Sequence, residues 1–340
     1  MGAPEQPVDR SRLPVDTGVL RNYWWPFGGV RLIWQGGIGR ILSGPYDVVI
    51  CQQVIHNLSV WRLRLRARRH GKRLVILGHG YRAVRSTVRV GARMFAAMQR
   101  FLLSGADSVI TYSERGRQHV LALGLDPTRV FVSYNTLDTE ALSAIGDIPV
   151  SAVSPVAQAA RAPMLLFVGR LLPEKRCEVL LEAIRILNNQ GLDVSAVIVG
   201  SGSAREDLEL AAAGLPNVRF AGAIYDESEL AALFKEASLL VIPGRVGLTC
   251  VHGFAYGVPI VTSRDGAVNQ SPEYDYIRHS FNGWVIDEPN GEALASAVEL
   301  LLETPDLMNR LHGGATETAQ ELRMDRMVSQ FALAIRKAVE

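Results

Sequence analysis

Residues 164–170 read MLLFVGR, and this stretch decides the fold of the second half of the chain. A continuous apolar run that ends at a glycine is typical of a strand buried on both faces of a parallel sheet. The pattern recurs toward the C-terminus, where amphipathic segments separate the apolar runs. The predicted strands are 164–170, 193–203, 217–222, 238–244, 258–263 and 282–287, and the predicted helices are 177–191, 204–214, 226–237, 247–257, 291–303 and the tail to 340. This alternation predicts a parallel sheet with helices on both faces.

The first half of the chain shows the same alternation less regularly. Its predicted strands are 46–52, 72–78, 107–112 and 129–135, and its predicted helices are 60–71 and 90–105. Because 340 residues is about twice the length of a typical single domain, we predict two Rossmann-like α/β domains that face a cleft. The first is expected over 1–150 and the second over 163–315, with an Ala-, Ser- and Pro-rich linker at 144–162 and a C-terminal helix over 316–340 that packs back on the first domain.

The first 45 residues lack the apolar strand and glycine-rich turn with which a Rossmann-like domain normally opens. The nearest candidate, GGVRLIWQGG at 28–37, has glycines that fit the flanks of a short helix better than a strand end. We therefore expect fewer parallel strands in the first domain than in the second. Two explanations stay open: the chain starts after the opening strand, which leaves the first domain incomplete, or residues 20–43 pack as helices over the gap.

Charge is distributed unevenly along the chain. The net charge of +2 combines 20 Lys and Arg against 10 Asp and Glu in residues 1–160 with 16 against 24 in residues 161–340. The three cysteines, Cys51, Cys177 and Cys250, form no CxxC pair, which argues against a disulfide framework or a zinc site and favours a reducing cytoplasm. The N-terminus shows no signal-peptide core, and no apolar run reaches the ~18 residues of a membrane span.

The strongest local signal for chemistry is VGRLLPEKR at 168–176. Gly169 lets the backbone turn at the carboxyl end of a strand, where open α/β sheets bind ligands, and Arg170 and Lys175 follow it. Two cations at that edge suit a diphosphate. The alternative is a solvated turn with two ordinary surface charges, and spacing alone does not decide between them.

Two further glycine-rich turns follow predicted strands. In IPGRVGLTC at 242–250, Gly247 precedes a helix whose N-terminal N–H groups could face an anion, although a tight strand-to-helix turn would also use glycine. The turn VGSGS at 199–203 contains Gly202, a weaker candidate for the same ligand. Both turns are therefore candidate parts of a donor site.

Taken together, these segments resemble the family 4 glycosyltransferases. The resemblance rests on VGRLLPEKR, VIVGSGS, NVRFAG and the block PGRVGLTCVHGFAYGVPIVTS at 243–263, and in the first half on LGHGYR at 77–82, ADSVITYSERG at 106–116 and VFVSYNTLD at 130–138. It implies a GT-B fold, metal-independent transfer with retention of configuration, and a nucleotide-diphosphate sugar held by the C-terminal domain as a substrate, with no cofactor.

The resemblance also assigns roles to individual residues. Arg170 and Lys175 match the pair that neutralises the donor diphosphate, and His79 matches a histidine of the N-terminal domain beside the reaction centre. The loop whose backbone faces the sugar and phosphate corresponds to Val246, Gly247 and Leu248. For His79, packing of a turn against the opposite domain stays an alternative. Asn135 and Asp138 either line the cleft or cap the helix after them, and we favour the cap.

The sequence departs from the family in the same block. Where the family usually has two glutamates eight residues apart, this chain has Gly244 and His252, so the pair is absent. The pattern PGxVGLxxxHxxAYGxP and the later segment NQSPEYDYI at 269–277 are identified as features of a variant branch. Glu273 in that segment could supply a carboxylate to the donor. His252 could contact the donor or have a structural role.

The basic stretch WRLRLRARRHGKR at 61–73 has two interpretations. It is either a solvated helix face or a contact with anionic lipid, the second expected if the acceptor is linked to a lipid. No motif of a DNA- or RNA-binding protein accompanies the charge, so we do not expect nucleic acid as a partner.

We therefore interpret the chain as a hexosyl- or related glycosyltransferase that moves a sugar to a saccharide or lipid-linked glycan, in cell-surface polysaccharide biosynthesis. Arg170, Lys175 and the helix N-terminus after Gly247 would stabilise the departing oxyanion. No residue stands out as a covalent nucleophile. The alternatives are a non-catalytic module that binds a sugar nucleotide or glycan on the same fold, and a sugar-nucleotide epimerase. We expect the cytoplasm, with peripheral contact at the inner face of the membrane left open.

Overall fold

The computed structural model describes residues 20–27, 30–79, 89–146, 162–264 and 270–340. The chain divides into two compact units. One contains the described residues from Leu20 to Tyr134 together with Val328–Glu340, and the other contains the described residues of Asn135–Met327. Each unit is built on a parallel sheet with helices, which confirms the predicted α/β class.

The first unit carries the elements of the N-terminal half. Its strands are β1 (Asn22–Phe27), β2 (Val30–Gln35), β3 (Val48–Gln52), β4 (Arg73–Gly78), β5 (Ser108–Thr111) and β6 (Val130–Val132), and its helices are α1 (Ile38–Ser43), α2 (Leu58–Arg66), α3 (Arg89–Ser104) and α4 (Glu114–Ala122). The strands β3-β4-β5-β6 form a parallel sheet in that order. Apolar side chains of α1, α2 and α3 pack with this sheet and form the core of the unit.

The interpretation of 28–37 as the flanks of a helix is wrong. β1 and β2 pair antiparallel from Asn22–Gln35 to Phe27–Val30, as a two-stranded sheet separate from the parallel one. Aromatic and β-branched residues favour strands, but Tyr23, Trp24 and Trp25 are consecutive and all exposed, so this segment has no buried apolar run. The alternative that residues 20–43 pack as helices is also wrong, apart from the short helix α1.

The second unit has the more extensive sheet. Its strands are β7 (Met164–Val168), β8 (Ser195–Val199), β9 (Val218–Gly222), β10 (Ala237–Val241), β11 (Ile260–Ser263) and β12 (Gly283–Ile286), and its helices are α5 (Thr139–Gly146), α6 (Cys177–Asn189), α7 (Arg205–Ala211), α8 (Glu227–Glu236), α9 (Thr249–Ala255), α10 (Gly291–Glu303) and α11 (Pro305–Glu321). The six described strands are parallel in the order β12-β11-β10-β7-β8-β9. The first unit's parallel sheet has four described strands, so the expectation of fewer strands there is confirmed.

The sheet of the second unit explains where its candidate site lies. β7 is central, and buried side chains such as Phe167, Phe234 and Phe254 fill the space between the sheet and its helices. The strand order reverses direction beside β7, because β8 follows on one side and β10 on the other. Such a switch point opens a crevice at the carboxyl ends of the strands, which here are the turns after Val168, Val199 and Val241.

The C-terminal helix α12 (Met324–Val339) ends within the first unit. Ala334 and Ala338 are buried against Val75 and Ile110 of β4 and β5, and the Ser108 hydroxyl donates a hydrogen bond to the Ala334 carbonyl oxygen at 2.8 Å. The predicted boundaries at 150, 163 and 315 stay predictions. Of the predicted linker, residues 144–146 belong to α5 and 147–161 lie outside the described residues. Among the described helices, none combines the length and the apolar character of a membrane span.

Candidate functional site

Three turns of the second unit pack directly against one another at the carboxyl end of its sheet. A Cβ on Gly200 would lie 1.8 Å from the Gly169 carbonyl oxygen, and one on Gly202 would lie 2.2 Å from that of Leu171. Neither position can carry a side chain without moving backbone. The glycines predicted as a ligand-binding turn therefore have a packing role, because they bring the turn after β8 against the turn after β7. A donor contact by Gly202 stays a prediction.

Lys175 lies at the centre of these turns. Its Nζ donates a hydrogen bond to the Val246 carbonyl oxygen at 2.8 Å, and Cβ atoms built on Gly169 and Gly247 would lie 3.8 and 3.6 Å from it. Burial, and secondarily the charge of Arg245, lowers the pKa of Lys175 from 10.5 to about 8. The ammonium group is thus half-buried and held between the β7 and β10 turns.

Arg170 follows β7 on the same turn. Its side chain is exposed, and no hydrogen bond or ion pair joins its guanidinium to any residue that the structure describes. A guanidinium has five donors in a planar fork that matches phosphate oxygens. The predicted turn after β7 therefore carries two cations: Arg170, which is exposed and has no partner among the described residues, and Lys175, which is partly buried.

The loop after β10 is held by side chains from a distant segment. The N–H of Val246 donates to Gln270 Oε1 and the N–H of Gly247 donates to Ser271 Oγ, both at 2.9 Å. Each of these two amides therefore already has an acceptor in this conformation, and the contact of the loop backbone with the sugar and phosphate stays a prediction. The helix α9 begins at Thr249 with Leu248 as its N-cap. The donor contact of Leu248 stays a prediction.

The structure gives a physical reason for the missing glutamate at position 244. A Cβ there would lie 2.2 Å from the Glu174 carbonyl oxygen and 2.7 Å from the Lys175 carbonyl carbon. The Gly244 N–H also donates to the Lys175 carbonyl oxygen at 3.1 Å. The backbone of the β7 turn therefore occupies the space that a side chain at 244 would need.

Glu273 is buried in a 3₁₀ turn, Pro272–Tyr276, with 3% of its surface exposed. Its Oε1 accepts a hydrogen bond of 2.6 Å from Asn135 Nδ2, and the Asn135 N–H donates to the Tyr276 hydroxyl at 2.9 Å. The negative charge of Glu273 opposes the lowering of the Lys175 pKa, so the carboxylate lies within electrostatic reach of that lysine. A helix cap by Asn135 is therefore wrong, whereas Asp138 does cap α5 by accepting from the Ala141 N–H at 3.1 Å.

His252 faces the helix α8 and not the cationic turn. Its ring stacks on Phe234 with centroids 5.9 Å apart, and its Nε2 lies 3.4 Å from Glu227 Oε1. Tyr256 donates to the same carboxylate oxygen at 2.8 Å. This placement favours the structural alternative for His252.

His79 belongs to the first unit and follows β4 directly. Its side chain is exposed, and its ring meets that of Tyr112 edge to face at 5.6 Å between centroids. A Cβ on Gly116 would lie 2.5 Å from the His79 carbonyl oxygen, so the start of α4 packs closely against this turn. The position at a strand end is as expected, and the catalytic role of His79 stays a prediction.

Much of the basic stretch 61–73 is engaged within the first unit. Arg68 and Arg73 contact Asp107 Oδ1 at 2.9 and 3.4 Å, and Lys72 Nζ donates to the Gly44 carbonyl oxygen at 2.7 Å. Arg64 donates to the Phe101 carbonyl oxygen at 3.1 Å and lies over that ring. The stretch is therefore not a uniform cationic patch.

Sequence reasoning missed the residues that fix the loop after β10. Gln270, Ser271 and Asn135 contact it or its neighbours across long sequence separations. The segment 269–277 was the available signal, since it contains two of the three.

Among the described residues, no group of three or more His, Cys, Asp or Glu side chains is arranged to hold a metal ion. Metal-independent activity stays a prediction.

Two protein-family profiles match the chain. One, described as "Glycosyl transferases group 1", matches residues 155–318, and the other, described as "Glycosyl transferase 4-like domain", matches residues 2–136. The GDP-mannose-dependent alpha-(1-6)-phosphatidylinositol dimannoside mannosyltransferase of Mycobacterium tuberculosis is 33% identical over 150 residues, which are 43% of this chain and 37% of that protein. The match thus spans little more than a third of that relative.

Two further comparisons cover more of the chain. A D-inositol 3-phosphate glycosyltransferase of Streptomyces scabiei is 27% identical over 328 residues, which are 89% of this chain and 70% of that protein. The crystal structure of Anabaena Alr3699/HepE in complex with UDP has a TM-score of 0.67 at 16% identity and covers 88% of this chain and 81% of that one. The likeness shows a GT-B fold, and with both family profiles matched, the chain belongs to the family 4 glycosyltransferases.

Proposed function

We propose that this chain is a glycosyltransferase that moves a sugar, with retention, from a nucleotide-diphosphate sugar to a saccharide or lipid-linked glycan. The observation that carries the proposal is the turn after β7, where Arg170 has no partner among the described residues and Lys175 is held between two loops. A cation pair at the switch point of a parallel sheet suits a diphosphate.

The proposed chemistry follows from charge. As the glycosidic bond to the donor phosphate breaks, negative charge grows on the diphosphate oxygens. Groups that already point at that charge stabilise the transition state without reorganising. Arg170 supplies a planar fork of donors and Lys175 a partly desolvated ammonium. The acceptor hydroxyl would lose its proton to the departing phosphate on the same face of the sugar, which retains the configuration.

The other parts of the site are assigned in the same proposal. His79 is proposed beside the reaction centre, and Leu248 beside the donor. Glu273 is proposed to act on the donor side by facing Lys175 and not by replacing a carboxylate at position 244, since the backbone fills that position. The donor is a substrate and no cofactor is proposed. GDP-mannose, which is named for a relative, and UDP-glucose, which is bound in a structure of Anabaena Alr3699/HepE, are the first donors to test.

The cellular role is proposed from the relatives named above. The mannosyltransferase and the inositol phosphate glycosyltransferase act on a phosphatidylinositol dimannoside and on an inositol phosphate, so sugars and lipid-linked sugars are the acceptor classes to test. We propose cell-surface polysaccharide biosynthesis in the cytoplasm, with peripheral contact at the inner face of the membrane.

The test is nucleotide-diphosphate release from a set of nucleotide sugars, with and without a mixture of lipid-linked and free saccharide acceptors. We expect release that depends on an acceptor and falls at least tenfold in Lys175→Met, because an interaction with the developing charge is lost. Arg185→Ala, an exposed arginine of α6, is the matched control. Binding of a nucleotide sugar with no release for any acceptor would favour the non-catalytic module, and interconversion of the sugar without an acceptor would identify an epimerase.

A further inference from the structure

One peptide group in the loop after β10 joins Lys175 to a distant serine. The Val246 carbonyl oxygen accepts the hydrogen bond of 2.8 Å from Lys175 Nζ. The Gly247 N–H, at the other end of the same peptide group, donates to Ser271 Oγ at 2.9 Å. A trans peptide group is planar, and its C=O and N–H point in opposite directions. The hydroxyl that fixes the N–H therefore also fixes the carbonyl that holds the lysine.

Ser271 faces away from its own turn to make this contact. It is the N-cap of the 3₁₀ turn Pro272–Tyr276, a position where a serine hydroxyl usually accepts from an N–H of the turn. This turn is described in full, and the Ser271 side chain makes no cap hydrogen bond to it. The residue is buried, with 6% of its surface exposed. A role as a local cap therefore does not explain this serine.

Gln270 fixes the preceding part of the loop. Its Oε1 accepts from the Val246 N–H and its Nε2 donates to the Gly244 carbonyl oxygen, both at 2.9 Å. One side-chain amide thus pairs with a backbone N–H and a backbone C=O two residues apart. Gln270 and Ser271 together hold two successive peptide groups, of which the second carries the carbonyl that contacts Lys175.

The β7 turn holds the same loop independently of Ser271. The N–H groups of Gly244 and Arg245 donate to the carbonyl oxygens of Lys175 and Glu174 at 3.1 and 2.8 Å. Loss of the Ser271 hydroxyl would leave these two bonds in place. We therefore expect a variant at 271 to keep the loop attached to the fold while it releases the carbonyl of Val246.

We propose that Ser271 is a positioning residue for transfer, which orients the Lys175 ammonium toward the donor diphosphate through the peptide group of Val246 and Gly247. An ammonium has three donors, so one bond to the Val246 carbonyl oxygen leaves two for phosphate oxygens. A cation that is already held loses less side-chain freedom when a ligand binds, and such preorganisation increases affinity. The inference rests on the proposed function, because it takes the diphosphate as the ligand of Lys175.

The first test is a titration of the whole ligand-free chain by NMR, with the lysine side chains labelled. The sequence contains four lysines, and Lys175→Met identifies the signal of Lys175. In Ser271→Ala the pKa of Lys175 should rise from about 8 toward 10.5, because the released ammonium reaches water. Gln320→Ala, at an exposed glutamine of α11, is the control and should leave this pKa unchanged.

The charges around Lys175 stay the same in this comparison. The charged and titratable groups within electrostatic reach of its ammonium are Arg245, Glu174, Glu273 and Cys250. Ser271→Ala keeps all four, so a change in the pKa reports on the position of the lysine. Gln270→Met removes both hydrogen bonds of that amide at similar side-chain length and should act in the same direction. It provides the test if urea unfolding shows that Ser271→Ala does not fold.

The second test is calorimetry with UDP and with GDP. Ser271→Ala should weaken binding roughly tenfold, because a hydrogen bond from a charged group is lost or misplaced. In a Lys175→Met background the same substitution should cause little further loss, because a residue that acts through Lys175 has nothing left to position. The comparison of the two backgrounds separates positioning from a general effect on the fold.

Three results would overturn the proposal. The first is a folded Ser271→Ala protein in which the pKa of Lys175 is unchanged. The second is equal weakening of binding with and without Lys175. The third is tighter binding in Ser271→Ala, since the hydroxyl would then compete with phosphate for the Gly247 N–H. A wild type that binds neither nucleotide would instead contradict the proposed function, and the titration would still decide whether Ser271 holds Lys175.

Discussion

Replacing Lys175 with Met should stabilise the protein while it removes the proposed phosphate contact. The folded state lowers the pKa of Lys175 from 10.5 to about 8, mainly by burial. A shift of that size corresponds to about 3 kcal/mol of instability at neutral pH. The variant also loses the hydrogen bond from Lys175 Nζ to the Val246 carbonyl oxygen, and this loss destabilises it by about 1 kcal/mol. The variant should therefore be more stable by about 2 kcal/mol near pH 7.

The pH dependence gives the sign of this effect independently. Because the pKa of Lys175 is lower in the folded state, the unfolded chain binds more protons between about 8 and 10.5. Wild-type stability therefore rises with pH across that window relative to Lys175→Met. The difference between the two proteins should be largest below about pH 8 and shrink toward zero near pH 10.

Urea unfolding followed by circular dichroism, at about pH 7 and at about pH 10, measures the difference in the free energy of unfolding between the two proteins. Lys235→Met is the matched control, because Lys235 is exposed on α8. The reasoning is refuted if Lys175→Met is less stable than the wild type at neutral pH, or if the difference does not change with pH. A gain of stability together with a loss of nucleotide binding would identify Lys175 as a residue kept for a ligand and not for the fold.

Three further predictions concern diphosphate binding, stability and metal dependence. Arg170→Ala should weaken nucleotide-diphosphate binding by about 1–3 kcal/mol in calorimetry, the range for hydrogen bonds to charged groups, and Arg185→Ala should not weaken it. Unchanged affinity in Arg170→Ala would show that Arg170 does not contact the diphosphate. Gly200→Ala should destabilise the protein by about 1–3 kcal/mol in urea unfolding, because its Cβ would meet the Gly169 carbonyl oxygen at 1.8 Å, and wild-type stability would show that the turns separate easily. Transfer should survive a chelator in the release assay, whereas a strict need for magnesium or manganese would contradict the proposed mechanism.

The fold of the second unit could be predicted because its strands are buried on both faces. Runs such as 164–168 and 196–199 are apolar throughout, and a glycine follows each of them. The hairpin of β1 and β2 could not, because Tyr23, Trp24 and Trp25 are exposed and give no contrast between a buried and a solvated face. The short α1 and α4 also escaped notice, since they carry few apolar residues at helical spacing.

The site could be predicted only in part. Gly169, Arg170 and Lys175 follow one strand, so local sequence was sufficient to place them together. The environment of Val246 and Gly247 depends on Gln270 and Ser271, which are 24 residues away in sequence. Such contacts decide whether an amide is free, and no local pattern reveals them.

The central claim is that Arg170 and Lys175 bind the diphosphate of the donor. A crystal structure of the protein with a bound nucleotide diphosphate tests it most directly. We expect phosphate oxygens within hydrogen-bond distance, about 2.7–3.2 Å, of both the Arg170 guanidinium and Lys175 Nζ. A diphosphate bound elsewhere, with neither side chain in contact, would contradict the account.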